Sequence, residues 1–249
     1  MSNIFKTIRK SNLMANNSKK YFKYAIREII LLVIGIIIAL QINNWNEARK
    51  LKQEEVKLLR QIKQDLVDNN NEILELEKRL SINKNGVDSL LARFKNNNND
   101  KLLPIYTNMI HRKVYFNNSN TGYNLILNNS TSIISNDTIL KSILELFEKD
   151  FPDILKRQEL MHQKIENHLY PLTNSLFKVK PMTIKFKELD AANSDLYEPI
   201  DFKALTKNNL YKNTLLQLKR TFEERLILSE KSRTKIEQIL KIITQELNQ

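Results

Sequence analysis

Ile29-Ile30-Leu31-Leu32-Val33-Ile34-Gly35-Ile36-Ile37-Ile38-Ala39-Leu40 carries no polar side chain. Tyr21, Phe22, Lys23, Tyr24 and Arg27 stand before it, and Gln41, Ile42, Asn43, Asn44 and Trp45 follow. An apolar run with aromatic and basic residues on one flank and Trp on the other has the composition of a membrane-spanning helix. Tyr21, Tyr24, Arg27 and Trp45 read as its interface anchors. From Ile26 to Trp45 a helix extends roughly 30 Å at about 1.5 Å per residue, enough to cross a bilayer only with its ends included. Arg27 can reach the headgroups while its stem stays apolar. Glu28 fits the interface beside Lys23 or Arg27; a cation on a partner helix is the sharper alternative.

Downstream of the run stands Gln41-Ile42-Asn43-Asn44-Trp45-Asn46-Glu47, too bulky for a signal-peptidase site, so an uncleaved signal-anchor is expected. Lys and Arg alone do not orient it. Lys6, Arg9, Lys10, Lys19, Lys20 and Lys23 precede the span, and Arg49, Lys50, Lys52, Lys57 and Arg60 follow it. The kind of segment decides: a short purely basic tail resists translocation, whereas a long domain crosses largely regardless of charge. The N-terminus is therefore expected in the cytoplasm of a bacterial inner membrane, with everything after Trp45 in the periplasm. Gly35 and Ala39 form a small-xxx-small pair on which two membrane helices can approach closely.

The net charge of +12 is shared between the two sides, with seven cations and one acid before Trp45. The basic tail suits the anionic inner leaflet. Beyond the span Lys and Arg alternate with Glu and Asp, which argues against a nucleic-acid stripe. There is no cysteine, so no disulfide staples the outer part. Three glycines and five prolines in 249 residues favour long helices over strands and tight turns.

Beyond the span, Leu58, Ile62, Leu66, Ile73, Leu76, Leu80, Val87, Leu91 and Phe94 recur at threes and fours, interrupted by Asn69 and Asn83. No Gly or Pro separates Leu40 from Asn85, so one long amphipathic helix should continue from the membrane helix. Its stripe suits either a self-associating coiled coil or an intrachain bundle; later partners in the chain favour the bundle, and the two asparagines weaken the seam and can set its register. Asp100 is expected to cap a helix carrying Leu103, Ile105, Tyr106, Met109 and Ile110. Asn117–Asn120 reads as a loop, followed by a short helix at Tyr123–Leu127. Asn136 or Asp137 caps a helix with Ile139, Leu140, Ile143, Leu144 and Phe147. Pro152 should kink or break it before the pattern resumes through Ile154, Leu155, Leu160, Ile165, Leu169 and Leu176. Val179–Pro199 reads as an extended loop with at most one short strand. A last helix, roughly 60 Å long, begins near Lys207 or Asn208 and carries Leu210, Thr214, Leu218, Phe222, Arg225, Ile227, Ile236, Leu240 and Ile243.

Tyr24-Ala25-Ile26-Arg27-Glu28-Ile29-Ile30, with Gly35 through Glu47, resembles an N-terminal block found in a family of Bacteroidetes single-pass membrane proteins, a domain of unknown function. Gly usually stands in that family where this chain has Arg27. A looser likeness runs from Tyr123–Ile126 through Ser135-Asn136-Asp137 and Leu140 to Leu146-Phe147. The resemblance implies an inner-membrane protein with a helical outer part, and brings no activity with it.

The search for chemistry yields little. His162 and His168 are six residues apart, on different faces of a helix, where paired metal ligands favour i and i+4; they and His111 read as surface histidines. Glu166 lies one turn from His162. No Walker loop, Gly-rich dinucleotide turn or nucleophile elbow occurs. Glu223 and Glu224 read as a solvated face, and Phe147, Phe177 and Phe222 as core. No catalytic, cofactor-binding or metal residue is assigned.

The expectation is an all-α chain in three parts. Residues 1–23 form a basic cytoplasmic tail, residues 24–45 a transmembrane helix, and residues 46–249 an antiparallel helical bundle outside the membrane. In function it should be a non-catalytic scaffold or assembly protein, anchored in the bilayer and binding an envelope protein or a second copy of itself. A ligand-sensing bundle acting through a partner is the alternative.

Overall fold

The computed structural model describes residues 3–129, 133–179 and 197–248. The fold is all-α with a long apolar N-terminal helix. α1 runs Asn3–Lys95 and is followed by α2 (Leu103–His111), α3 (Thr121–Asn129), α4 (Asp137–Glu145), α5 (Phe151–Lys164), α6 (Tyr170–Leu176), α7 (Phe202–Lys207) and α8 (Asn209–Glu246). The chain divides into two compact units, Met1–Glu55 and Val56–Gln249.

In the first unit every described side chain from Ala25 to Glu54 is exposed, including the whole run Ile29–Leu40. One helix in the described residues is long and apolar enough to cross a membrane, and this run lies in it. Its length and composition suit a membrane span. Trp45 is exposed and lies under the guanidinium of Arg49, 5.9 Å from the ring centroid. Gly35 is open: a Cβ built there meets nothing within 4 Å. The side chains of Tyr21 and Tyr24 lie outside the described residues.

In the second unit α8 packs antiparallel to α1. Lys219 pairs with Asp88 at 2.6 Å and Arg233 with Glu77 at 3.4 Å, so α1 ascends as α8 descends. Leu59, Ile62, Leu66, Ile73, Leu76, Leu80, Val87 and Leu90 form the α1 seam, and Tyr211, Leu215, Leu218, Phe222, Ile236, Ile239 and Ile243 the α8 seam. The seam uses Leu90 where the sequence suggested Leu91, which is only partly buried. On α8, Leu210 and Ile227 are exposed and Tyr211, Leu215 and Ile239 take the core positions. The stripe of α1 is thus closed within the same chain.

Pro152 neither breaks nor ends its helix. A wide turn at Leu146–Asp150 precedes it, and the Phe151 N–H bonds back five residues to the Leu146 carbonyl. The same device recurs before Pro171: Ile165–Leu169 is a wide turn and Tyr170 N–H reaches the Ile165 carbonyl. A proline ring clashes with the carbonyl four residues earlier and has no N–H to give it. A π turn takes up that misfit. Along this stretch Leu155 and Leu160 face outward while Ile154, Met161, Ile165 and Leu169 are buried.

Asp100 is not the cap of α2. It accepts from the Leu102 N–H at 3.0 Å and binds Arg93 at 2.9 Å, and α2 begins beyond it without a side-chain cap. Asn136 does cap α4, accepting from Thr138 and Ile139 N–H, and Asn208 caps α8 through Tyr211 N–H. Two three-residue strands, β1 (Phe177–Val179) and β2 (Tyr197–Pro199), pair antiparallel at the two ends of the predicted extended loop. The body of that loop lies outside the described residues.

Candidate functional site

Residues 112–120 form no helix and no strand, yet they run through the second unit as extended chain. Val114 and Phe116 are buried while Arg112, Tyr115 and Asn117 are exposed. This is the alternation of a β-strand, and no strand pairs with it. Its backbone is instead satisfied by side chains from the surrounding helices, as buried peptide groups require.

From α1, Asn83 Nδ2 donates to the Arg112 carbonyl at 2.9 Å. Asn69 makes two bonds with Ser119: Nδ2 to the carbonyl at 2.8 Å, and Oδ1 from the N–H at 2.7 Å. The carboxylate of Asp65 accepts from Gly122 N–H at 2.6 Å, serving the first turn of α3 from a different helix. Such a carboxylate suits a helix N-terminus. Asn69 and Asn83 therefore do more than weaken a seam: their amides substitute for the missing neighbouring strand.

From α5 and α8 come Gln158, His162 and Arg225. Gln158 Oε1 accepts from Phe116 N–H at 2.7 Å. His162 Nε2 donates to the Val114 carbonyl at 3.2 Å, and Tyr115 meets its ring edge-on at 4.6 Å. Arg225 Nη1 and Nη2 reach the same carbonyl at 3.3 and 3.4 Å. Arg225 is 1% exposed, and burial pulls its guanidinium down to about 10. His162 is lowered by burial first, then by the positive charges of Arg225 and Lys113. Lys113 is engaged with Glu166.

A second polar cluster surrounds His111. Nδ1 donates to the Thr107 carbonyl at 2.5 Å, which leaves Nε2 to accept from the Thr173 hydroxyl at 2.8 Å. The ring is stacked between Tyr170 at 5.3 Å and Tyr197 at 4.6 Å. Burial lowers His111 to about 4 and raises the Tyr211 hydroxyl, which is also fully buried.

Two of the three histidines thus depart from the surface reading: His111 and His162 are buried and His168 is exposed. The physical reason is that each buried ring has a backbone carbonyl for its N–H. His162 and Glu166 do not act together, because Glu166 turns to Lys113. No group of three potential metal-ligating side chains is found among the described residues. Glu223 and Glu224 are half-buried, with Glu224 bridging Arg157 and Arg220. Phe147, Phe177 and Phe222 are core.

Residues 28–196 match the family described as "Family of unknown function (DUF6090)". The chain belongs to this family. The DUF6090 match takes in the apolar run, Asn69, Asn83, the extended segment, His111 and His162, and stops before α7 and α8. No curated protein and no solved structure matches the chain.

Proposed function

We propose that this DUF6090 protein is a membrane-anchored helical scaffold whose outer domain binds another envelope protein or a second copy of itself, without catalysis. The observation that carries this reading is the employment of the polar side chains: Asn69, Asn83, Gln158 and His162 hold the backbone of residues 112–120. Groups committed to folding an internal strand are not free to turn over a substrate. Outward-facing apolar side chains supply a surface for association. Val67, Leu74 and Ile82 are exposed on α1 and fall within about 80° of one another around the helix.

The domain belongs, on this reading, in the periplasm of a bacterial inner membrane, as in the Bacteroidetes proteins that the N-terminal block resembles. The purely basic tail before the span supports a cytoplasmic N-terminus. In the membrane, Gly35 and Ala39 offer a close-approach face for a second copy, and the empty space around Gly35 supports that use. Ligand sensing by the bundle is the second reading, favoured by the buried charge of Arg225.

The test is site-specific photocrosslinking in cells, with the probe placed at Leu74, Ile82 or the exposed Glu230. A single discrete adduct from the two apolar positions and none from Glu230 is expected. An adduct of twice the chain's mass identifies a second copy. Equal smears from all three positions, or no adduct at all, would sink the scaffold reading. A reporter fused after Gln249 that works only in the cytoplasm would reverse the topology.

A further inference from the structure

An extended chain turns the peptide groups of alternate residues to opposite edges. Along residues 112–117 the even edge is taken. The Arg112 carbonyl accepts from Asn83 at 2.9 Å, the Val114 carbonyl from His162 at 3.2 Å and from Arg225, and the Phe116 N–H donates to Gln158 at 2.7 Å. The odd edge is open. Among the described residues, no hydrogen bond engages the N–H or C=O of Lys113, Tyr115 or Asn117. The open stretch ends at Ser119, whose N–H and carbonyl are both held by Asn69.

Buried peptide groups find partners, so a row of them without one belongs at the surface. The side chains agree: Tyr115 is 48% exposed, and Arg112 and Asn117 are exposed as well. N–H and C=O groups repeating every second residue are matched by another extended chain. The flanking charge narrows the choice. Lys113 is engaged with Glu166, whereas Arg112 has no ion pair among the described residues and is left to meet a carboxylate from outside. Residues 112–120 contain no Asp or Glu, so the same edge of a second copy cannot supply one.

We propose that the odd edge of residues 113–117 is a strand-addition site, which takes an extended, acidic segment of a partner protein. The backbone of that segment pairs with Lys113, Tyr115 and Asn117, and one of its carboxylates lies beside Arg112. The helices hold the even edge from behind, so the strand is already straight when the segment arrives and little further ordering is needed. This inference gives the means by which the outer domain holds its partner, and it rests on the scaffold reading.

The experiment follows amide hydrogen exchange by NMR in the full chain, in detergent micelles at one pH, with nitrogen-15 in tyrosine, phenylalanine and asparagine. Without ligand the Phe116 N–H should exchange slowly and those of Tyr115 and Asn117 fast. The probe is a capped peptide alternating valine and threonine, with glutamate at each end. It should slow Tyr115 and Asn117 saturably and leave Phe116 as it was. The same peptide N-methylated throughout has no N–H to donate and should do nothing. Asn117→Pro removes one N–H from the edge yet suits extended backbone. It should raise the half-saturating concentration about three- to tenfold at an unchanged melting temperature. A Tyr115 N–H as slow as Phe116 before any peptide is added, rates that the peptide leaves unmoved, or equal slowing by the N-methylated peptide would overturn the site. Slowing of Tyr115 when the chain alone is concentrated would give the edge to a second copy and overturn it likewise. Should Asn117→Pro lower the melting temperature, the two peptides decide alone. The photocrosslinks from Leu74 and Ile82 are read independently, so the site can fall while the scaffold reading stands.

Discussion

A histidine whose one nitrogen faces a carbonyl and the other a hydroxyl, between two tyrosine rings, is built to stay neutral. Burial holds His111 at about 4, below its ordinary 6.5. The unfolded chain therefore binds a proton between those values that the folded chain does not. His111 contributes full stability above about pH 6.5 and loses it as pH falls towards 4, a change on the order of 3 kcal/mol. Glu145 and Glu166 are held below the usual carboxylate range chiefly by Lys235 and Lys113; at Asp88 burial is the largest single influence and pushes up, but Lys219 and Lys84 together outweigh it, and all three lose stability on acidification as well. Comparison with His111→Gln isolates the imidazole. Denaturant midpoints of the two proteins should diverge at neutral pH and converge near pH 4.5; parallel pH profiles would show that folding does not shift the titration of His111. Sequence alone pointed the other way, because three scattered histidines in a polar chain resemble surface residues. What hid the truth is long-range: Thr173 and Tyr197 lie far along the chain from His111, and no spacing rule reaches across that distance.

At the scale of elements, the glycines separate cleanly by what surrounds them. Gly122 sits where α3 crosses α1, and a Cβ there would meet Ile62 Cγ1 at 2.7 Å and the Ile62 backbone N at 2.9 Å. Backbone cannot swing aside as a side-chain tip does. Gly122→Ala should therefore push α3 off α1, stretch the Asp65 bond, and cost about 1–3 kcal/mol in denaturant unfolding. Gly35→Ala should leave the unfolding of the bundle unchanged. If both variants unfold like the wild type, the crossing is looser than its contacts suggest. Asn69 belongs to the same scale, since it replaces a neighbouring strand for Ser119. Asn69→Ala should cost about 1–3 kcal/mol through two backbone groups left without partners. Asn69→Asp should cost more at neutral pH, because it sets a carboxylate against the Ser119 carbonyl, and the excess should shrink on acidification. These elements explain where sequence reading held. The α1 stripe, part of the α8 stripe, a cap at Asn136 or Asp137 and the start of α8 near Asn208 are local signals of period or position, and they were legible. The strand-like segment 112–120 was not, because its partners are isolated amides on helices. The exposed Leu155 and Leu160 show a different fault: both were read as core for being apolar, although a uniform helical period through Ile143, Ile154 and Met161 already leaves them about 100° or more off that face.

At the scale of the whole molecule, the second unit depends on α8, although the family match ends before it. Seven large apolar or aromatic side chains of α8, from Tyr211 to Ile243, are buried. At about 1.5–3 kcal/mol each their burial contributes roughly 10 kcal/mol or more, as large as the net stability of an ordinary domain, about 5–15 kcal/mol. The helix also supplies the cations for acids on other elements: Lys219 for Asp88, Arg233 for Glu77, and Lys235 for the buried Asp150 at 2.6 Å. Removing α8 by ending the chain at Lys207 would uncover Leu66, Ile73 and Leu80 along α1 and leave Asp150 buried without its lysine. The remaining helices cannot close over that seam, because their own apolar faces already pack elsewhere in the core. The truncated protein should still insert in the membrane, since the apolar run is untouched, while its outer part loses cooperative melting and is cleaved by protease within α1. Limited proteolysis of membrane vesicles and circular dichroism of the purified chain read the two effects separately. A truncated chain that resists protease and keeps the wild-type melting transition would make α8 an appended arm, and the core energetics of residues 56–207 would have to be sufficient without it.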